Sequence, residues 1–194
     1  MSDTTAWRSF DVTTTPGAAL TTASHLASFL LSGAKGQSIQ IATAESCTAG
    51  ALCSALAAAE GAGGALYGGF VTYEEDAKTV LLGVSPDVLA KVSAVSSEVA
   101  REMALGVLEK SPADLAIAVT GVTGDCSDER GNPRGRVHIA AVVRGGAKIH
   151  CHCEFGDLPS AVLLDAAVRT ALDLGIQALK WQAGTTDQWQ EAVG

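Results

Sequence analysis

Hydrophobic residues along this chain change their spacing several times, and each change marks an element. Leu20, Ala23, Leu26, Ala27, Leu30 and Leu31 recur with a helical rhythm, which predicts a helix over residues 18–31, ended by Gly33 and Gly36. Residues 38–44 form a short apolar run read as a strand. A polar turn follows, Glu45-Ser46-Cys47-Thr48-Ala49-Gly50, and then an Ala/Leu-rich helix over residues 52–59 that stops in Gly61-Ala62-Gly63-Gly64. Residues 69–73 read as a second strand. The run Glu74-Glu75-Asp76 leads into a helix over 77–82, where carboxylates in the first turn complement the dipole, and Gly83 closes it. A short helix over 86–90 precedes one over 98–110, which Ser96 or Ser97 can cap and whose Val99, Met103 and Val107 lie four apart on one face.

Pro112 then punctuates a third strand, 115–120. Residues 120–135 are the longest irregular stretch, dense in Gly, Asp, Asn and Pro, and a loop of that length inside a compact domain commonly borders a site. Two alternating runs, 136–143 and 147–155, flank Gly145-Gly146 in the pattern of a two-residue hairpin. A helix over about 160–181 ends the pattern. This order predicts a single-domain α/β protein, a three-layer α/β/α fold whose sheet is mixed because the C-terminal hairpin is antiparallel. The division expected is a flexible leader over 1–16, a folded domain over 17–182 and a polar tail over 183–194. In such sheets ligands sit beyond the carboxyl ends of the parallel strands, where the Ser46 turn and the Thr120 loop both fall.

At 194 residues the chain is long enough for one substantial core, and its 47% hydrophobic but only 5% aromatic content suits helices packed closely on a sheet. A formal net charge of -8 without a basic stripe argues against nucleic acid, while leaving room for an anionic small molecule held by local cations and amides. The Thr-rich start has no apolar signal-like segment, and no run of membrane-spanning length follows, so a cytoplasmic protein that does not enter a membrane is expected. Five cysteines, Cys47, Cys53, Cys126, Cys151 and Cys153, are odd in number and are expected to be reduced.

Several residues carry candidate chemistry, each beside a plainer role. Ser46 is either a nucleophile at a strand-to-helix turn or the N-cap of the next helix. Cys47 competes for the nucleophile's part but has no evident histidine partner. Tyr73 and Lys78 could converge on one strand end as proton-transfer groups, or be a half-buried strand aromatic and a solvated cation. Lysine acts as a base only where its pKa is lowered, a shift that Glu74, Glu75 and Asp76 would oppose. Thr120-Gly121-Val122-Thr123-Gly124 could offer backbone amides to a substrate but lacks a P-loop lysine and dinucleotide spacing. Arg130, Arg134 and Arg136 could bind a phosphate, or be balanced by Asp125, Asp128 and Glu129. On a strand, His150 and His152 face away from Cys151 and Cys153, which argues against a metal site. Asp165, Arg169 and Asp173 read as a solvated helix face.

Taken in order, the 45–50 turn, Gly69-Phe70-Val71-Thr72-Tyr73 with Ala77-Lys78 and Leu82-Gly83-Val84, Val95-Ser96 before Glu98-Val99-Ala100, and Ala118-Val119-Thr120-Gly121 closely resemble the CinA C-terminal domain family. The resemblance runs over about residues 18–179. It implies a stand-alone nicotinamide-mononucleotide deamidase, an amidohydrolase that releases ammonia and nicotinate mononucleotide and needs no metal or organic cofactor. It implies Ser46 as nucleophile, Lys78 and Tyr73 as proton-transfer partners, and substrate contacts from Glu45, Cys47, Thr48, Thr120, Gly121, Arg134 and Arg136, with backbone amides at 46–48 stabilising the oxyanion. This chain departs from the family pattern in having Ala49-Gly50 for Gly-Gly, Glu75 for Asn, a 123–128 loop poorer in Gly and Pro, and Leu158 for the Arg that commonly follows the Gly-Asp pair. Other readings are an amidase for another small amide, a nucleotide-binding regulatory module without turnover, and a structural α/β protein with a capping serine. A small acidic domain with a hairpin edge could also pair into a homo-oligomer.

Overall fold

Strands and helices follow one another in the order that the apolar periods predict, with a strand added before them. The structure, a computed structural model, describes residues 6–13 and 22–184. The elements are β1 (Trp7–Val12), α1 (Ala23–Gly36), β2 (Ile41–Glu45), α2 (Ala51–Ala58), β3 (Leu66–Val71), α3 (Glu75–Leu82), α4 (Pro86–Val92), α5 (Ser97–Lys110), β4 (Leu115–Gly121), β5 (Arg136–Val143), β6 (Lys148–Glu154) and α6 (Ser160–Gln182). The six strands form one sheet in the order β1-β6-β5-β4-β2-β3. β3, β2 and β4 are parallel to one another, β5 runs antiparallel to β4 and to β6, and β1 lies parallel to β6.

The period-2 alternation of β4 builds both cores at once. Leu115, Ile117 and Val119 point to one face, where they join Leu30, Leu31, Leu52, Leu56, Leu163 and Leu172 of α1, α2 and α6. Ala116 and Ala118 point to the other, beside Ala42 and Ala44 of β2, where Val99, Met103 and Val107 of α5 and Leu82 of α3 cover them. Alanines on that face let α5 approach the sheet closely. Gly106 of α5 extends the close packing sideways, since a Cβ there would lie 2.1 Å from the Leu82 carbonyl oxygen. α3, which carries Lys78, is seated against α5 by that contact.

Three expectations need correction. Trp7–Val12, placed in a flexible leader by its polar composition, is an edge strand. Ladder pairing to β6 and a buried Val12 hold it, together with the Arg101 guanidinium 5.0 Å from the centre of the Trp7 ring. The remaining leader positions 1–5 and 14–16, tail positions 185–194 and the first turn expected for α1 lie outside the described residues. α1 also runs past the expected end at Leu31, through Gly33 as far as Gly36. Finally, the β5–β6 turn consists of Arg144-Gly145-Gly146, closed by Val143 N donating to Ala147 O at 2.8 Å, one residue longer than expected. Ser96, of the two candidate caps for α5, accepts from Val99 N.

Candidate active site

Because β2, β3 and β4 run in the same direction, the residues that follow them meet at one edge of the sheet: Ser46 after β2, Thr72 and Tyr73 after β3, and Thr120 and Gly121 at the end of β4. A cleft of about 780 Å³ opens there, lined by Ser46, Cys47, Tyr73, Lys78, Thr120, residues 93–95 and the long loop 121–130. At its floor the Lys78 Nζ donates to Ser46 Oγ at 3.0 Å. Lys78 sits in the first turns of α3, and helical side chains lean toward the N-terminus, which carries its amine back over the end of β3. There the amine also donates to the carbonyls of Thr72 at 2.8 Å and Tyr73 at 2.9 Å, with Glu74 O farther off at 3.4 Å.

Lys78 is 1% exposed and, among the described residues, has no carboxylate within salt-bridge distance. Burial disfavours its ammonium and lowers its pKa from the usual 10.5, while Glu75 and Glu74 pull it back up. A neutral Lys78 would donate its two N–H bonds to the Thr72 and Tyr73 carbonyls and turn its lone pair toward the Ser46 hydroxyl. That arrangement would be chemically competent to activate the serine.

Ser46 does not cap α2, which overturns the plainer reading of the turn. The N-cap of α2 is Gly50, with no side-chain cap. The helix's free amides are instead taken by the carboxylate of Glu45, fully buried, which accepts from Gly50 N at 3.0 Å, Leu52 N at 2.9 Å and Cys53 N at 2.8 Å, and from the Thr43 hydroxyl at 3.1 Å. Glu45 therefore builds the turn, and it lies beneath the surface of the cleft, not among its lining residues. Its bonds leave the Ser46 hydroxyl free for Lys78. Ala49 is held in the left-handed region at φ 49°, where the family's glycine would sit without strain.

The other predicted residues divide. Burial pushes the Cys47 thiol up to about 12, which disfavours its thiolate near neutrality. The Cys47 carbonyl accepts from Thr123 Oγ1 at 3.0 Å, which ties the long loop to the serine turn. Thr48 is buried at 2% exposure, and its hydroxyl has no hydrogen-bond partner among the described residues. Tyr73 approaches Lys78 through its carbonyl, not its phenol, and its residue is 67% exposed at the mouth of the cleft. Thr120 lines the cleft, yet its hydroxyl donates to Ala94 O at 2.7 Å. Gly121 serves packing, because a Cβ there would lie 2.6 Å from the Arg136 carbonyl oxygen. Of the three amides expected to bind an oxyanion, Ser46 N is already donating to Val119 O at 3.0 Å.

Of the three arginines that could bind a phosphate, Arg134 and Arg136 are turned elsewhere. Arg134 pairs with Asp157 and donates to Gly124 O and Leu158 O, each at 2.7 Å, pinning the loop to the start of α6. Arg136 pairs with Glu154 at 2.7 Å. Arg130 is the arginine that lines the cleft. The loop's acidic residues are partly accounted for as well: Asp128 Oδ1 accepts from Arg130 N at 3.0 Å and Asn132 N at 2.8 Å, and Asp125 accepts from Ser160 Oγ at 2.7 Å. Sequence reasoning missed the parts played by backbone carbonyls 72 and 73, which no residue type signals. It also missed Ser93, whose hydroxyl accepts from Asn132 Nδ2 at 3.0 Å and joins the α4–α5 connection to the loop. Asp125, Asp128 and their partners show the loop to be constructed, not merely solvated.

Outside the cleft, Cys151 and Cys153 pack into the core, while the rings of His138 and His152 stack at 4.6 Å on the opposite face, as strand alternation requires. No group of three or more His, Cys, Asp or Glu side chains among the described residues is arranged to hold a metal ion. Nor is any described helix long and apolar enough to cross a membrane.

Comparison with known proteins places this geometry in a family. A model of the CinA C-terminal domain matches residues 23–179. Protein YdeJ of Escherichia coli K12 is 42% identical over 141 residues, covering 73% of this chain and 81% of YdeJ. A CinA-like protein of Akkermansia muciniphila is 44% identical over 110 residues, but the matched part is only 27% of that longer protein. Among solved structures, the competence/damage inducible protein CihA of Agrobacterium tumefaciens superposes with a TM-score of 0.77 at 37% identity, covering 81% of this chain and 95% of CihA. A CinA superfamily protein of Escherichia coli also gives 0.77, at 39% identity, covering 80% of this chain and 90% of its own. The chain belongs to the CinA C-terminal domain family.

Proposed function

We propose that the chain is a serine-dependent amidohydrolase acting on the carboxamide of nicotinamide mononucleotide. The observation that carries the reading is the buried Lys78 amine 3.0 Å from the Ser46 hydroxyl at the floor of a cleft. Ser46 Oγ attacks the carboxamide carbon while Lys78 takes its proton, and the amides of Cys47 and Thr48 receive the negative charge that develops on the carboxamide oxygen. As the tetrahedral intermediate collapses, the Lys78 ammonium protonates the departing nitrogen and ammonia leaves, with an ester remaining on Ser46. Lys78 then takes a proton from water as its oxygen attacks the ester carbon, and returns that proton to Ser46 Oγ as the ester C–O bond breaks, releasing nicotinate mononucleotide and restoring both side chains. Tyr73 holds Lys78 through its carbonyl, and its exposed ring at the mouth of the cleft is available to the pyridine ring. Neither step draws on a metal or an organic cofactor.

Ammonia release from the mononucleotide by wild type and Ser46→Ala tests this. Turnover that ends with the substitution supports the assignment, and turnover that survives it removes Ser46 from the nucleophile's place. A second reading, an amide substrate without a phosphate, is favoured by the six carboxylates of Glu74, Glu75, Asp76, Asp125, Asp128 and Glu129 along the cleft. Ammonia from a phosphate-free amide and none from the mononucleotide would select it.

A further inference from the structure

The cleft is poor in positive charge where an anionic substrate would need it. Among its described lining residues the cations are Lys78, buried on the floor and committed to Ser46 and two carbonyls, and Arg130 at the mouth. Arg130 is fixed at its base and open at its tip. Its backbone amide donates to Asp128, one guanidinium nitrogen donates to the Ala90 carbonyl at 3.0 Å, and the other lies 4.0 Å from the Glu75 carboxylate. The side chain is 43% exposed, and of the five guanidinium N–H donors a hydrogen bond to Ala90 O engages one. Arg134 and Arg136 are bound to Asp157 and Glu154 away from the lining.

We infer that Arg130 is the specificity-determining residue of the cleft, binding the anionic group of the substrate, and that Glu75 competes with that group for the guanidinium. The inference rests on the amidohydrolase reading for the choice of substrate, not for its outcome. An arriving phosphate offers the planar guanidinium paired oxygens at shorter range than the long Glu75 contact, so Arg130 exchanges one carboxylate for a doubly charged partner. By holding the guanidinium at 4.0 Å, the Glu75 charge lowers affinity for anionic amides.

The test is binding by calorimetry to a Ser46→Ala background, which removes turnover, using nicotinamide mononucleotide and the same nucleoside without its phosphate. Adding Arg130→Ala is expected to weaken the mononucleotide about tenfold or more and to leave the nucleoside within about twofold. Adding Glu75→Gln instead is expected to tighten the mononucleotide and not the nucleoside. The nucleoside serves as the control for a loosened loop, which would weaken both ligands alike. Equal weakening of both, no effect of Arg130→Ala on the mononucleotide, or no mononucleotide binding at all overturns the inference. The activity is judged separately: Arg130-dependent binding without ammonia release by wild type sinks the proposed reaction and leaves this assignment, whereas ammonia release with an Arg130-independent KM does the reverse.

Discussion

At the residue scale, the site depends on one lysine kept from water. Folding removes the Lys78 amine from solvent and gives it carbonyl and hydroxyl partners but, among the described residues, no close carboxylate, so its neutral form appears below the usual 10.5. The sign for activity follows: kcat/KM rises with pH through an inflection below 10.5, because only the neutral amine can take the serine proton. Glu75 raises the Lys78 pKa, so Glu75→Gln is expected to move that inflection to lower pH in a pH–rate profile. An inflection that stays in place would separate Lys78 from the titrating group. Stability has the same sign. Between the folded value and 10.5 the unfolded chain holds more protons at Lys78, so the cost of burying it is full at lower pH and is relieved as pH rises through that window.

At the scale of elements, the lysine's position is set by how closely α3 can lie against α5. Gly106 permits the contact, and Gly106→Ala would drive a methyl into the Leu82 carbonyl. The expected result is a loss of about 1–3 kcal/mol in denaturant unfolding, with a larger fractional loss of activity because Lys78 moves with α3. Unchanged stability would show the interface to be looser than the contact implies. This scale also shows what could be read in the chain beforehand. The apolar periods, the Ser96 cap and the Gly83 stop placed most elements, because each is a local signal. Ser46, Tyr73 and Lys78 could be named, and their strand-end positions predicted, from motif order. The partners could not: Glu45 looked like a substrate contact, and the structure makes it the acceptor for the first amides of α2. Arg134 and Arg136 looked like phosphate ligands and are bound to Asp157 and Glu154, acids far along the chain. Which of several nearby opposite charges a side chain meets is a tertiary fact that composition does not carry.

At the scale of the whole molecule, the sheet that positions the cleft continues beyond the residues shared with the family. β1 precedes the matched residues 23–179 and covers the edge of β6. Its polar composition hid it, since a strand recruited by ladder pairing and by Arg101 over Trp7 and Arg8 over Trp181 needs little apolar alternation of its own. Deleting residues 1–13 is expected to cost about 2 kcal/mol or more and to promote concentration-dependent association through the bared β6 edge, seen by thermal unfolding and light scattering. A truncated chain as stable and as dispersed as the full one would make β1 an ornament of the sheet. The cleft lies at the opposite part of the sheet, at the ends of β2, β3 and β4, so the truncation is expected to spare the Ser46–Lys78 contact. The chemistry proposed for the cleft stands on that contact. The most direct test is ammonia release from nicotinamide mononucleotide by wild type, Ser46→Ala, Lys78→Met and the double variant. If the pair acts as one unit, each single substitution lowers kcat about a thousandfold or more and the double falls no further than the worse single. Near wild-type turnover in either single variant, or two losses that multiply in the double, would contradict it.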